Sequence, residues 1–225
     1  MKKTIINKYN YKKYLQNGNL IIGDNKKVKL EKFDNLNIIA KDCNNIKVGN
    51  NCNIKCGDCN KISSLDNCNI KCGDCNKISS SNNCNIKVGE NCIVYADNGN
   101  SIETEYECHF YINNGNKVEI GNACKLEIGS ENNIKCGEFC QIKGFENNSV
   151  KIGSNCEVSL YDNSYVEAVG KNIKLEFKGN EGESSFYNDM EDSVILTYNL
   201  MNKMKIYMSN NLPNKIISIK DGVIK

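Results

Sequence analysis

The sequence predicts an all-β fold: a parallel β-solenoid of about nine 16-residue coils, two short strands per coil, closed by irregular N- and C-terminal caps. Three observations predict it. Asn51–Asp66 reads NCNIKCGDCNKISSLD and Asn67–Asn82 reads NCNIKCGDCNKISSSN, a direct repeat altered only at its last two positions. Each unit divides into two octads of the form x-[Cys/Asn]-x-Φ-x-Φ-x-x, Φ being apolar. In extended chain the second, fourth and sixth residues of an octad face the same way. The two turns of a unit also differ. Gly57, Gly73, Gly89, Gly121, Gly137 and Gly153 recur at one, while the other holds Leu65, Ser81, Asp97, Asn113, Gly129, Phe145 and Tyr161. An environment that alternates in this way argues for two strands per coil rather than three.

The elements follow in order. Residues 1–34 lack the repeat and read as an N-terminal cap or attachment segment carrying Tyr9, Tyr11 and Tyr14. Residues 35–178 form the repeat domain. Its middle apolar positions run Ile38, Ile54, Ile70, Ile86, Ile102, Val118, Ile134, Val150, Val166 in one half-coil and Ile46, Ile62, Ile78, Val94, Phe110, Leu126, Ile142, Val158 in the other. No helical spacing of apolar residues competes with this period of two. Residues 179–225 read as a β-rich cap with strands at Ser193–Tyr198, Met204–Met208 and Lys215–Lys220, Pro213 in a turn, and Met190, Met201, Met204 and Met208 along it. Parallel stacks end in unpaired strand edges, which is why caps are expected. The forty Asn residues fall mainly at turns and corners, where the residue tolerates left-handed backbone and can hydrogen-bond along its own column.

Composition narrows the function. Net charge is +2 and all 29 basic residues are lysine. Without arginine there are no bidentate phosphate or carboxylate clamps, and the usual reader of guanine edges is missing, so no nucleic-acid partner is expected. The start MKKTIINKYNYKK has no apolar h-region, and no stretch is long and apolar enough to span a bilayer. A cytoplasmic protein with reduced thiols is expected, free or as part of a released particle, with no membrane insertion and no cofactor.

The 14 cysteines are placed by the repeat. Cys52, Cys68, Cys84, Cys92, Cys108, Cys124, Cys140 and Cys156 hold the second octad position. Cys56, Cys72 and Cys136 hold the sixth, where other coils put Val88, Ile120 or Ile152. Both sets read as small core hydrophobes. Stacked neighbours have Cβ atoms about 4.8 Å apart, wider than a disulfide prefers, so disulfide ladders are disfavoured. Cys43, Cys59 and Cys75 fall at a turn in successive coils and are the best metal candidate by sequence. Cys56/Cys59, Cys72/Cys75 and Cys136/Cys140 also have the spacing of zinc or redox pairs.

Two outward surfaces stand out. Ile93, Tyr95, His109 and Tyr111, which include the only histidine, form an aromatic patch suited to a protein partner or a glycan. On the opposite sheet Lys55, Lys71 and Lys87 share one outward position in consecutive coils, a ladder that could track an anionic polymer. Glu103, Glu119, Lys135 and Lys151 continue the column. Like charges about 5 Å apart cost roughly 0.8 kcal/mol per pair even in water.

The segments NNIKVGNNCNIKCG, NNCNIKVGENCIV, NGNKVEIGNACKLEIG and NNSVKIGSNCEV resemble the Asn-rich β-solenoid of bacterial capsule and exopolysaccharide O-acyltransferases. The resemblance covers Asn35–Asp162 and implies a shared scaffold. In that family the solenoid leads into hexapeptide-repeat coils with a catalytic histidine. Those coils are missing here and His109 sits inside the repeat, so no catalytic residue is carried over. The leading expectation is a non-enzymatic structural or binding solenoid that assembles with itself or with protein partners through its terminal segments. It would present a lateral face to a partner or glycan, for example as a component of a phage-tail-like or other surface particle. The alternatives are an O-acyltransferase-related enzyme acting through His109 and a metal or redox protein built on Cys43, Cys59 and Cys75.

Overall fold

Every second residue of an octad must leave water, yet an octad is too short to bury them alone. Stacking like octads in register solves this, because each inward side chain then packs on its own equivalents above and below. A computed structural model describes residues 4–178 together with the strands Glu183–Asn188, Val194–Tyr198, Lys203–Met208 and Ile216–Ile217. The chain is all-β, a parallel β-solenoid of about 10 turns of roughly 16 residues. Helical structure among the described residues is limited to one 3-10 turn, Tyr11–Tyr14.

The chain divides into two compact units, 1–110 and 111–225. In the first, one sheet stacks Asn19–Ile22, Asn37–Ala40, Asn53–Cys56, Asn69–Lys71, Asn85–Lys87 and Ser101–Tyr106. The other stacks Ile5–Asn7, Lys27–Leu30, Asn45–Val48, Lys61–Ser64, Lys77–Ser80 and Ile93–Ala96. Register is residue for residue: Ile54 faces Ile70, and Ile62 faces Ile78. These isoleucines are at most 2 % exposed, and each contributes roughly 1.5–3 kcal/mol by burial. The second unit repeats the plan, with Lys117–Asn122, Asn133–Cys136, Ser149–Ile152 and Tyr165–Ala168 in one sheet and Lys125–Ile128, Gln141–Gly144, Glu157–Leu160 and Ile173–Phe177 in the other.

Parallel pairing reaches beyond the strict repeat. Residues Ile5–Asn7, Asn19–Ile22 and Lys27–Leu30, within the N-terminal segment, are strands of the stack. Ile5–Asn7 pairs one coil on at a step of 22 residues and the other two at 18, as in the Lys26 N–H to Asn44 Oδ1 bond, so a fixed period of sixteen does not register them. The hairpin strand Leu15–Gln16 is antiparallel, lying on Asn19–Ile22. The tail behaves likewise. Glu183–Asn188, a strand the sequence pattern does not show, pairs with Tyr165–Ala168, and Val194–Tyr198 pairs with Ile173–Phe177. The methionines of the tail other than those in strand Lys203–Met208, and Pro213, lie outside the described residues.

The corners explain the interchange of Asn and Cys at the second octad position. Asn60 accepts the Asn44 N–H through Oδ1 (2.8 Å), and its amide donates to the Gly57 and Asp58 carbonyls (3.0 and 3.1 Å). Cys68 does the same with sulfur. Its Sγ accepts the Cys52 N–H (3.4 Å) and donates to the Gly49 carbonyl (3.4 Å). The two residues hand over within one column: Asn76 N–H donates to Cys92 Sγ (3.3 Å), and Cys84 N–H to Asn100 Oδ1 (2.8 Å). The second-position cysteines are therefore buried hydrogen-bonding corner residues rather than simple hydrophobes, a correction to the sequence reading. The thiol is the smaller and weaker of two groups able both to accept one N–H and to donate to one carbonyl. The hydrophobe reading fits the sixth position, where Cys56 and Cys72 are 9 and 8 % exposed and Val88 3 %. All 14 cysteines are unbridged, and the Cys56 thiol donates to Cys72 Sγ at 2.8 Å.

Turn glycines serve close approach. Asp58 Oδ1 accepts the Asp74 N–H (2.9 Å), and a Cβ on Gly73 would lie 2.0 Å from that same oxygen. The left-handed angles go instead to the first octad position, including Asn51 (φ 54°), Asn67 (57°), Cys59 (56°) and Cys75 (57°).

Candidate functional site

The outward face of the first unit's Asn-bearing sheet is a regular array. Asn37, Asn53, Asn69 and Asn85 stack in register and form an amide ladder, the Nδ2 of each of the last three donating to the Oδ1 of the coil before (2.8, 2.8 and 2.9 Å). Two residues along each strand, on the same face, stand Ile39, Lys55, Lys71 and Lys87, also in register. Between the two columns runs an open groove of about 480 Å³, with Ile54, Ile70 and Ile86 at its floor and Glu103 at one end.

Charge is handled unevenly along this outward position. Lys87 pairs with Glu103 at 2.5 Å, and the carboxylate holds its ammonium above the usual lysine range. In the second unit Lys135 pairs with Glu119 and Lys151 with Glu167, both at 2.6 Å, and Lys135 holds the Glu119 carboxyl below its ordinary value. Lys55 and Lys71 face each other across adjacent strands, and among the described residues neither has a carboxylate within salt-bridge distance. The unneutralised pair borders the groove.

Ile93, Tyr95 and His109 lie in the first unit, with Tyr95 36 % exposed and the Lys77 ammonium 5.0 Å above its ring. Tyr111 is the first residue of the second unit and is 38 % exposed. The patch in the first unit is therefore partly covered by a cation and is less apolar than the sequence suggests.

Cys43, Cys59 and Cys75 do stack on one edge, Cys59 and Cys75 exposed and Cys43 half-buried. Partial desolvation, then the neighbouring Cys75 and Cys43, push the Cys59 thiol up. A column at the strand spacing, however, sets its outer members roughly 10 Å apart, too far for three thiols to share one ion. The sulfurs that do converge are Cys136, Cys140 and Cys156.

Sequence reasoning found the Cys136/Cys140 pair but missed the third sulfur, Cys156, because the trio joins a sixth-position residue to two corner residues of different coils. It also passed over Phe145 and Tyr161, which stack at the turn of the second unit with ring centroids 5.8 Å apart. Their sixteen-residue separation was the available signal. No helix among the described residues is long and apolar enough to cross a membrane. Comparison of the chain with protein-family models, with curated proteins and with solved structures finds no match.

Proposed function

We propose that this protein is a non-enzymatic binding scaffold, a stiff β-solenoid whose lateral face takes an extended anionic chain of the acidic-polysaccharide kind. One observation carries the reading. Lys55 and Lys71 stand unneutralised beside the groove, while Lys87, Lys135 and Lys151 at the same outward position each have a glutamate. A carboxylated polymer laid along the stack would neutralise the pair. The Asn ladder on the opposite wall offers amide N–H and C=O groups, at the strand spacing of about 4.8 Å, to the polymer's hydroxyls. The contact is an array rather than a pocket, so affinity would come from many weak, salt-sensitive contacts.

The test is calorimetric titration of the full chain with polygalacturonate, and with a neutral glucan as control, at two salt concentrations. Salt-weakened binding of the polyuronate alone, lost in the Lys55→Gln/Lys71→Gln double variant, supports the reading. Equal binding by the double variant, or none by the wild type, overturns it.

Self-assembly through the first end is the second reading, favoured by Ile5, Tyr9 and Leu15 at 45, 83 and 42 % exposure. Native mass spectrometry of the wild type and of Tyr9→Ala/Leu15→Ser decides it: an oligomer that the double variant dissociates supports assembly, and a monomeric wild type removes it.

A further inference from the structure

At the sixth octad position of the second unit, Cys136 stands where the coils on either side place Ile120 and Ile152, so packing does not require sulfur there. The corner that follows is Cys140, and one coil on it is Cys156. The three Sγ atoms all lie within 4.8 Å of one another, on residues 7, 0 and 2 % exposed. Among the described residues no other three Cys, His, Asp or Glu side chains converge as closely. The sixth-position cysteines of the first unit, Cys56 and Cys72, precede Asn60 and Asn76 at their corners and make no such trio.

We propose that Cys136, Cys140 and Cys156 form a buried three-sulfur site for one soft, thiophilic metal ion of the Cu(I) kind. Three sulfurs about 2.3 Å from a common ion stand about 4 Å apart, so small side-chain rotations close the site. Thiolate sulfur selects soft ions. No fourth side chain converges among the described residues, and burial keeps water out. An ion content with three ligands therefore fits, whereas zinc in a structural site takes four.

Without metal the thiols are satisfied. Cys140 donates to the Gly121 and Glu138 carbonyls (3.4 and 3.5 Å) and Cys156 to those of Gly137 and Ser154 (3.3 and 3.5 Å). Cys136 hydrogen-bonds to Cys140 and Cys156. Binding of one Cu(I) by two thiolates and the remaining thiol releases two protons and leaves one net negative charge. The backbone N–H groups of Cys124 and Cys140 face the sulfurs of Cys140 and Cys156 and stabilise that charge. Affinity therefore falls as pH falls.

The test loads anaerobic, reduced full-length protein with Cu(I) in excess bathocuproine disulfonate, which strips exposed thiols, and measures retained copper. The expected result is one equivalent in the wild type, retained also by Cys72→Val, and at least a tenfold loss in Cys136→Val. Valine is what the sixth position accepts at Val88. Should that variant not fold, Cys140→Asn keeps the corner hydrogen bonds, as Asn148 does, and must also lose copper. No copper in the wild type, or undiminished copper in a folded variant, overturns the proposal.

Discussion

Replacing Asn76 by alanine would remove a corner whose bonds are all on view. Its Oδ1 accepts the Asn60 N–H at 2.7 Å, and its Nδ2 donates to the carbonyls of Gly73 (2.7 Å), Asp74 (3.0 Å) and Gly57 (3.1 Å). The side chain is 1 % exposed, so water cannot take over readily. One buried N–H left without a partner costs about 2 kcal/mol, and the lost amide donor about 1 kcal/mol more. A total of about 3 kcal/mol moves a urea midpoint by about 1 M and speeds exchange of the Asn60 amide by about 100-fold. Asn76→Cys should recover most of this, because one coil on Cys92 already accepts an N–H and donates to the Gly73 carbonyl (3.5 Å). Its cost should be about 1 kcal/mol, reflecting the weaker sulfur bonds. Urea unfolding together with hydrogen exchange at Asn60 makes the comparison. If Asn76→Cys were as damaging as Asn76→Ala, corner thiols would not be doing the work of corner amides.

Three further outcomes are expected. Gly73→Ala should displace the Asp58 carboxylate and lose its bond to the Asp74 N–H, costing about 1–2 kcal/mol, but cost much less in an Asp58→Ala background; additive effects in the double-mutant cycle would refute the close-approach account. The Glu119 carboxyl, held low by Lys135, should titrate below the ordinary glutamate value of about 4.3 and return to it in Lys135→Met, as read by NMR. Because the folded-state pKa is depressed, this pair's small stabilisation is present above the unfolded value and lost as pH falls through the folded one. Native-state thiol labelling should reach Cys59 and Cys75 first and Cys43 more slowly, with the buried cysteines reacting only on unfolding; rapid labelling of Cys52 or Cys140 would contradict the corner geometry.

The direct repeat in residues 51–82 and the alternation of inward isoleucines made the architecture legible, since a period of two within a period of sixteen admits few other solutions. The Lys55, Lys71 and Lys87 ladder was legible for the same reason: in-register stacking carries a sequence column directly into a spatial one. Three things were not. Strands Asn19–Ile22 and Lys27–Leu30 sit at a longer step than the repeat, so period alone assigned them to a cap. Glu103 and Glu119 were already visible in the lysine column, but which lysine each would pair with, leaving Lys55 and Lys71 without a carboxylate, took side-chain geometry to decide. The Cys43, Cys59 and Cys75 column looked like a ligand set because equal spacing resembles proximity, but translation along one axis cannot gather three sulfurs.

By itself, then, the sequence determined what repeats: coil length, inward and outward faces, and the columns into which like residues fall, all consequences of alternation along an extended chain. Only the tertiary structure decided what meets across columns. Whether Asn and Cys are equivalent at a corner, whether Cys136 reaches Cys140 and Cys156, and whether a groove opens between the Asn and Lys walls depend on how the chain bends between strands. A turn places the backbone groups of one coil against the side chains of the next, and no one-dimensional period records that geometry.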